Sequence, residues 1–170
     1  MAGKVVVVTG GNSGIGRETC VGLADLGATV VLCARDPKKG AAAVERVRQR
    51  TDAGERVQLG IVDLASFASI RAFAAEILDR FDRLDVLVNN AGLILDDRRF
   101  TVEGFEMTFG VNHLGHFLLT TLLRDRLVAS APSRIVTVAS IAHRLVPQGL
   151  DAYDLQSAGL YAGFSTYCRS

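Results

Sequence analysis

The chain has 170 residues, 19 basic and 18 acidic side chains and a net charge of +1, so it can form one domain but lacks the basic excess of a nucleic-acid-binding protein. No apolar run approaches the ~20 residues of a membrane span, and the N-terminus leads directly into a strand without a signal-peptide pattern. We therefore expect a soluble, cytoplasmic protein whose residues 1–170 belong to a single domain.

The cysteines and histidines form no disulfide or metal pattern. Cys20, Cys33 and Cys168 are odd in number and share no CxxC spacing, which argues against a disulfide framework. His113 and His116 are three residues apart on a predicted helix, but no third ligand is placed nearby. We expect buried or incidental thiols and no metal site.

Short apolar runs alternate with amphipathic segments along the chain. The predicted strands are Val5 to Val8, Ala28 to Cys33, Val57 to Val62, Leu84 to Val88 and Ile135 to Val138. Four full helices are predicted between them, and Asp36 and Ser66 are typical N-caps for the second and third. The alternation indicates an α/β fold with a doubly wound parallel sheet that binds ligands beyond the carboxyl ends of its strands.

The fourth helix is predicted from Thr101 to Val128 and is apolar on almost every side. Its apolar residues are Phe105, Phe109, Val111, Leu114, Phe117, Leu118, Leu122 and Leu123. A helix of this kind must contact something besides its own sheet.

A glycine-rich turn, Thr9 to Gly16, joins the first strand to the first helix. Gly10 allows a sharp exit from the strand, while Gly14 and Gly16 allow a pyrophosphate and then the strand to come close. The first turn of the helix attracts a phosphate because its N–H groups are unpaired and partly positive. The turn therefore predicts a phosphate site, although a purely structural turn is the alternative.

Five ordered motifs make the chain resemble the short-chain dehydrogenase/reductase family. They are Thr9-Gly10-x-x-x-Gly14-Ile15-Gly16, Asp63-Leu64, Asn89-Asn90-Ala91-Gly92, Asn112 and Ser140. One segment resembles the retinol-dehydrogenase-like branch of that family, namely Val111-Asn112-His113-Leu114-Gly115-His116-Phe117. The resemblance covers essentially the whole chain and implies a Rossmann-type NAD(P)-binding fold.

The resemblance also implies which residues hold the cofactor: the glycine turn at the pyrophosphate, Asp63 and Leu64 at the adenine, and the motif after the fourth strand beside them. These implied residues are Gly10, Asn12, Ser13, Gly14, Ile15, Gly16, Asp63, Leu64, Asn89, Ala91 and Gly92. Read without the family, Asp63 could cap a helix, and Asn89 and Asn90 could bind their own backbone in a turn.

The end of the second strand predicts the choice of cofactor. In the family that this chain resembles, the second strand of an NAD enzyme ends in an aspartate, which would bind both ribose hydroxyls. In this sequence that position is Ala34, and Arg35 follows it. A guanidinium can hold a 2′-phosphate by paired charge-assisted bonds. We predict NADP(H) rather than NAD, and the alternative is that Arg35 is a solvated surface charge.

The resemblance implies hydride transfer between the nicotinamide and an alcohol, ketone or aldehyde. Ser140 would bind the reacting oxygen, Asn112 would hold a water of the proton relay, and a tyrosine would exchange the hydroxyl proton. A structural serine at a strand end remains the alternative for Ser140. In either role Asn112 needs a polar neighbour, because it lies in a mostly apolar helix.

Three tyrosines compete for the proton-transfer role. Tyr153 lies thirteen residues after Ser140, the spacing of the wider family, whereas Tyr167-Cys168-Arg169-Ser170 matches the Tyr-x-x-Ser-Lys of the branch up to its last residue. We assign the role to Tyr167 rather than to Tyr153 or Tyr161. The lysine of the motif would follow Ser170 and would bring the tyrosine pKa from ~10 toward ~7.

These features lead us to expect the front part of an oxidoreductase for an apolar substrate, incomplete at the C-terminus and without the last strands of the sheet. On its own such a chain would have little turnover and would expose its fifth strand as an edge. The surplus apolar surface of helix 101–128 resembles the homodimer interface of the family. The alternative is a non-catalytic dinucleotide-binding or interaction module.

Overall fold

A computed structural model describes residues 1–146, 151, 153–159 and 161–170 of the chain. Five parallel strands form one sheet in the order β3-β2-β1-β4-β5. The strands are β1 Val5–Val8, β2 Thr29–Ala34, β3 Val57–Ile61, β4 Val86–Asn89 and β5 Arg134–Thr137. The observed strands lie within two residues of the predicted ones, and the predicted doubly wound α/β fold is confirmed.

Helices follow the strands on both faces of the sheet. The α-helices are α1 Gly14–Asp25, α2 Pro37–Arg50, α3 Phe67–Arg80, α4 Met107–Phe109, α5 His116–Ala129 and α6 Gly163–Arg169. A π-helical segment, Gly110–Gly115, joins α4 to α5, and 3-10 turns cover Gly54–Arg56 and Ile141–Leu145. No helix in the described part of the chain is both long and apolar enough to cross a bilayer.

Each face of the sheet has its own core because successive strand residues point to opposite sides. Val7 packs with Phe73 of α3 and Leu123 of α5 on one face, while Val6 packs with Cys20 of α1 and Val44 of α2 on the other. The strands β1 and β2 are buried almost throughout. This burial explains their nearly continuous apolar runs.

The two predicted helix caps are present. The Oδ1 atom of Asp36 accepts hydrogen bonds from the amides of Lys38 and Lys39 at 2.8 and 3.1 Å. The Oγ atom of Ser66 accepts one from the amide of Ser69 at 3.3 Å. Local sequence therefore predicted where α2 and α3 begin.

The predicted start of the fourth helix at Thr101 is wrong. Residues 101–106 form a turn in which Gly104 has a φ of +84° and the Thr101 amide bonds to the Phe105 carbonyl. The helix begins after Glu106, whose carboxylate accepts hydrogen bonds from the amides of Thr108 and Phe109. A left-handed glycine and a buried acidic cap therefore overrode the apolar periodicity.

The last helix of the described chain packs against two other helical segments. Helix α6 contacts the 3-10 turn Ile141–Leu145 and also α4, whereas all four residues of β5 are exposed. The sequence assigns residues 145–160 to a loop that shapes the substrate pocket, and 147–150, 152 and 160 of that loop lie outside the described residues.

Candidate active site

A cleft of about 1210 Å³ opens at the carboxyl ends of β1, β2 and β4. Drug-sized ligands occupy pockets of roughly 300–1000 Å³, so this cleft is large enough for a dinucleotide. Its walls bring together most of the cofactor residues that the sequence predicts, namely Gly10, Asn12, Ser13, Gly14, Ile15, Gly16, Arg35, Asp63, Leu64, Ala91 and Gly92.

The glycine turn leaves room for a ligand against its backbone. Gly14 has a φ of +51°, and a side chain added there would meet nothing within 4 Å. Ser13 is the extended N-cap residue of α1, and its side chain makes no capping hydrogen bond. The first amides of α1 are therefore free to bind an anion, and the helix dipole favours one. This cradle fits the pyrophosphate that the sequence implies.

Two other glycines of the turn serve its close packing. Gly10 has a φ of +64°, and a side chain on Gly16 would overlap the Gly10 carbonyl and the Asn90 amide. The Nδ2 atom of Asn90 donates a hydrogen bond to the Thr9 carbonyl at 2.8 Å. Asn90 thus binds the backbone of the turn after β1, a contact between separate elements rather than one within its own turn.

Asn89 is the predicted cofactor residue that does not line the cleft. Its side chain is buried, and its Nδ2 atom donates to the Thr120 hydroxyl of α5 at 3.0 Å. Within the described residues, its Oδ1 atom has no hydrogen-bond partner. The Asn89 side chain therefore lies between β4 and α5 instead of in the cleft wall.

The residues after β3 form the opposite wall. The Oδ1 atom of Asp63 accepts a hydrogen bond from the Ala65 amide at 3.0 Å, while its own amide donates to the Ser69 hydroxyl at 2.9 Å. Leu64 is buried beside it. Because Ser66 provides the cap of α3, the carboxylate of Asp63 shapes the turn at the cleft instead of capping the helix.

A positive group stands at the mouth of the cleft on the side of β2. Arg35, Lys38 and Lys39 are exposed and line it, while the nearby carboxylate of Asp36 is engaged by the first amides of α2. The sequence reasoning found Arg35 but missed both lysines. Their position directly after the Asp36-Pro37 cap was the available signal, since it puts them on the first turn of α2.

Thr9, which lines the cleft, and His116, which contacts Thr9, were also missed by the sequence reasoning. The Thr9 hydroxyl oxygen accepts the amides of Asn90 and Ala91 at 2.9 and 3.0 Å and lies 2.9 Å from Nε2 of His116. The Nδ1 atom of His116 lies 3.1 Å from the Asn112 carbonyl. Burial lowers the pKa of His116, which favours the neutral ring.

Asn112 lies in the π-helical segment and has the polar neighbours that an asparagine requires there. Its Oδ1 atom accepts the Leu93 amide at 2.9 Å, and its Nδ2 atom donates to the Leu93 carbonyl at 3.0 Å and to the Ser170 hydroxyl at 2.9 Å. Ser170 in turn donates to the Tyr167 carbonyl at 2.9 Å. Hydrogen bonds thus connect Asn112 to the end of α6 and to Leu93 in the cleft wall.

The three tyrosines have different environments. Tyr153 is fully exposed, and Tyr161 donates to the buried carboxylate of Glu106 at 3.1 Å. Burial raises the pKa of Tyr161, which opposes proton release. Tyr167 is partly buried on α6, where its ring lies 6.4 Å from that of Phe164.

Ser140 caps the 3-10 turn against which α6 packs, and its Oγ atom accepts the Ala142 amide at 3.2 Å. Ser140, Asn112 and Tyr167 lie outside the walls of the cleft itself. In the described residues, no group of three or more His, Cys, Asp or Glu side chains could hold a metal ion.

Comparison with known proteins agrees with this architecture. Residues 4–157 match the family described as short chain dehydrogenase. Human retinol dehydrogenase 13 is 47% identical over 99% of this chain and 50% of its own length. A crystal structure of an uncharacterized protein from Mycobacterium paratuberculosis has a TM-score of 0.82 at 40% identity, covering 99% of this chain and 57% of its own. The complex of Pseudomonas aeruginosa RhlG with NADP has a TM-score of 0.76 at 30% identity, covering 99% and 62%.

The chain spans about half the length of the curated relatives it matches. The family match covers most of the described chain, and the fold, the cleft and the ordered motifs all agree with it. The chain therefore belongs to the short-chain dehydrogenase family.

Proposed function

We propose that the protein is an NADP(H)-dependent oxidoreductase that transfers a hydride between the nicotinamide and an alcohol or carbonyl substrate. The observation that carries the proposal is the cleft of about 1210 Å³ with free helix amides on one wall. The glycine turn would hold the pyrophosphate, and the walls around Asp63, Leu64 and Ala91 would hold the adenosine and the nicotinamide ribose. When bound, the cofactor supplies or accepts the hydride.

The preference for NADP(H) rests on the positive group of Arg35, Lys38 and Lys39. A 2′-phosphate at the end of β2 would meet these cations and the N-terminus of α2, while the carboxylate of Asp36 is engaged elsewhere. Among related structures, RhlG is described as a complex with NADP. A ribose without the phosphate would gain nothing from these cations.

Binding constants test the cofactor choice. We expect NADPH to bind more tightly than NADH, and Arg35→Ala to weaken NADPH by about 10- to 100-fold, the loss of a charge-assisted bond. Binding of NADH should stay unchanged. Arg46→Ala is the matched control, because Arg46 is an exposed arginine on α2 that does not line the cleft. Equal affinities for the two cofactors would contradict the choice.

For catalysis, we propose that the Tyr167 hydroxyl exchanges the proton of the substrate oxygen while the Ser140 hydroxyl donates a hydrogen bond to that oxygen. Asn112 would hold a water between them and the ribose. The hydrogen bonds from Asn112 to Ser170 and from Ser170 to the Tyr167 carbonyl support this grouping, because they fix α6 to the helix that carries Asn112.

An apolar substrate is supported by the surroundings of Ser140 and Tyr167. Ile141 and Leu145 of the 3-10 turn and Phe164 of α6 are 70%, 66% and 54% exposed, and the two segments contact each other. Human retinol dehydrogenase 13 takes its name from an apolar alcohol. We propose a retinol-like alcohol or aldehyde as the substrate class, which steady-state kinetics with apolar and polar carbonyl compounds would test.

We also propose that the 170-residue chain alone binds the cofactor with little turnover. The chain has three lysines. Lys4 binds Asp85 near the amino end of β1, and Lys38 and Lys39 stand at the β2 side of the cleft, so none is beside Tyr167 to lower its pKa. NADPH binding without ketone reduction by this chain is the expected result, and rapid reduction would contradict it.

The cysteines bear on the location of the protein in cells. Cys20, Cys33 and Cys168 are all buried free thiols, which supports the proposal of a cytoplasmic, reducing location. Recovery with the membrane fraction would contradict that location. A homodimer through the apolar surface of residues 101–128 is also proposed.

A non-catalytic dinucleotide-binding module is the second candidate, because the cleft is complete whereas the catalytic residues lie outside its walls. The natural protein containing this sequence distinguishes the two. NADPH oxidation with a panel of ketones and aldehydes supports the enzyme, and cofactor binding without any turnover supports the module.

A further inference from the structure

We propose that His116, as the Nδ1–H tautomer, is a positioning residue that connects the nucleotide-binding turn to Asn112. The inference rests on the proposed function for its kinetic part and on geometry for the rest. Two groups from separate parts of the chain meet at this ring: the Thr9 hydroxyl at the end of β1, in the cleft wall, and the backbone carbonyl of Asn112 in the π-helical segment.

The partners of the ring assign its tautomer. The Asn112 carbonyl oxygen, 3.1 Å from Nδ1, can only accept a hydrogen bond, so Nδ1 carries the proton. In a neutral ring, Nε2 is then an acceptor, so the Thr9 hydroxyl 2.9 Å away must donate a hydrogen bond to it. The ring is 5% exposed, so water does not compete for either nitrogen.

The Thr9 hydroxyl is suited to donate to His116. Its oxygen accepts the amides of Asn90 and Ala91 at 2.9 and 3.0 Å, which uses both of its lone pairs. The remaining acceptor for its hydrogen is the Val88 carbonyl at 3.3 Å, a longer contact than the one to His116. A proton on Nε2 would find no lone pair left on this hydroxyl. Burial also lowers the pKa of His116, which disfavours a ring protonated on both nitrogens.

The two bonds join the two halves of the site. On one side, Thr9 holds the amides after β4 and so sets the position of Ala91 in the cleft wall. On the other side, His116 holds the backbone of Asn112, whose side chain binds Leu93 and Ser170. His116 therefore sets the distance between the cofactor wall and the residue proposed for the proton relay.

The ring nitrogens are directly observable by ¹⁵N NMR of the natural protein without cofactor. We expect the His116 signal, identified by its loss in the His116→Leu variant, to show a protonated Nδ1 and a bare Nε2 near neutral pH. A protonated Nε2 would overturn the inference. This measurement requires neither turnover nor a bound ligand.

Two amide variants separate the two bonds. His116→Asn places an amide nitrogen where Nδ1 stands and can keep the bond to Asn112, while His116→Gln places an amide oxygen near Nε2 and can keep the bond to Thr9. We expect the asparagine variant to raise the Kd for NADPH and the glutamine variant to lower kcat, each by about five- to tenfold, the effect of one lost hydrogen bond. His116→Leu should show both effects.

Thr121→Ala is the matched control, because it removes a side-chain bond to the Phe117 carbonyl on the same helix outside this network. It should change neither Kd nor kcat. Equal changes of Kd and kcat in all three His116 variants would mean a general packing role and would overturn the inference. If the natural protein has no turnover at all, the proposed function fails, while the tautomer and the Kd of the asparagine variant still decide this inference.

Discussion

At the scale of single residues, the structure separates two tyrosines that lie close together in sequence. The Tyr161 hydroxyl is bound to the buried carboxylate of Glu106, whereas Tyr167 stands on the helix tied to Asn112. We predict that Tyr167→Phe in the natural protein containing this sequence lowers kcat by roughly 10²- to 10⁴-fold, the usual contribution of a general acid, with NADPH binding unchanged.

Tyr161→Phe is the matched control, because it removes the same atom from the same part of the chain. It should cost about 1 kcal/mol of stability through the lost hydrogen bond and leave kcat within a few-fold of the wild-type value. Steady-state kinetics and urea unfolding of both variants make the comparison. The opposite ranking of the two kcat values would transfer the proton-transfer role to Tyr161.

The cofactor-binding residues could be predicted from sequence where they follow one another directly along the chain. The glycine turn is of this kind. Gly10 and Gly14 have positive φ values, which other residues rarely adopt, and a side chain on Gly10 would also overlap Ala91. The bond between Thr9 and His116 could not be predicted, because it joins residues that are 107 positions apart and meet only after the sheet has formed. The same reason explains why Asn89 looked like a cleft residue although its side chain turns toward α5.

At the scale of secondary-structure elements, a buried carboxylate fastens β1 to β4 at the ends opposite the cleft. Asp85 is 2% exposed and accepts hydrogen bonds from Lys4, from Arg83 and from the Val5 amide. Burial alone would raise the pKa of Asp85, but these bonds outweigh it and hold the pKa well below its usual value. The ionised carboxylate of Asp85 is therefore more stable in the folded protein than in the unfolded chain.

We predict that Asp85→Asn lowers the free energy of unfolding by about 2–3 kcal/mol at neutral pH, since two cations lose their charged partner. The contribution of Asp85 is complete above the unfolded pKa of ~3.9 and is lost as the pH falls below it toward the folded value. The gap between wild type and variant should therefore be full above about pH 5 and should shrink below about pH 4.

Urea unfolding across this pH range measures the gap. Asp82→Asn serves as the control, because Asp82 is an exposed carboxylate of the same loop without an ion pair in the described residues. A gap that stayed constant down to pH 3 would show that packing, rather than charge, is responsible.

Element boundaries could be predicted where a local cap decides them, as Asp36 and Ser66 do for α2 and α3. The start of the fourth helix could not, because the capping carboxylate of Glu106 is completely buried and is also bound by Tyr161, far along the chain. The π-helical segment around Asn112 has no signal in the apolar periodicity either. Both features depend on tertiary contacts that outweigh propensity.

At the scale of the whole molecule, an aromatic stripe runs from α4 through the π-helical segment to the first turn of α5. The rings of Phe109 and His113 stack at 5.3 Å between centroids, and His113 stacks on Phe117 at 6.5 Å. Phe117 is 66% exposed, as is much of Val128 on the same helix. Because Leu123 and its buried neighbours already face the sheet, this stripe is free to pack against a second copy of the chain, which is the proposed homodimer.

We predict that Phe117→Glu converts this dimer into a monomer, because two carboxylates would be brought into an apolar contact across the twofold axis. Sedimentation equilibrium of the natural protein and of the variant at the same concentration gives the masses. Leu26→Glu is the control: Leu26 is 62% exposed and follows α1, which packs on the other face of the sheet. A monomeric wild-type protein, or a dimer that survives Phe117→Glu, would show that the stripe serves another contact. A dimer lost only in Phe117→Glu would place the interface on α5, the helix that begins at His116. The same helix would then hold the second subunit and, through His116, the backbone of Asn112.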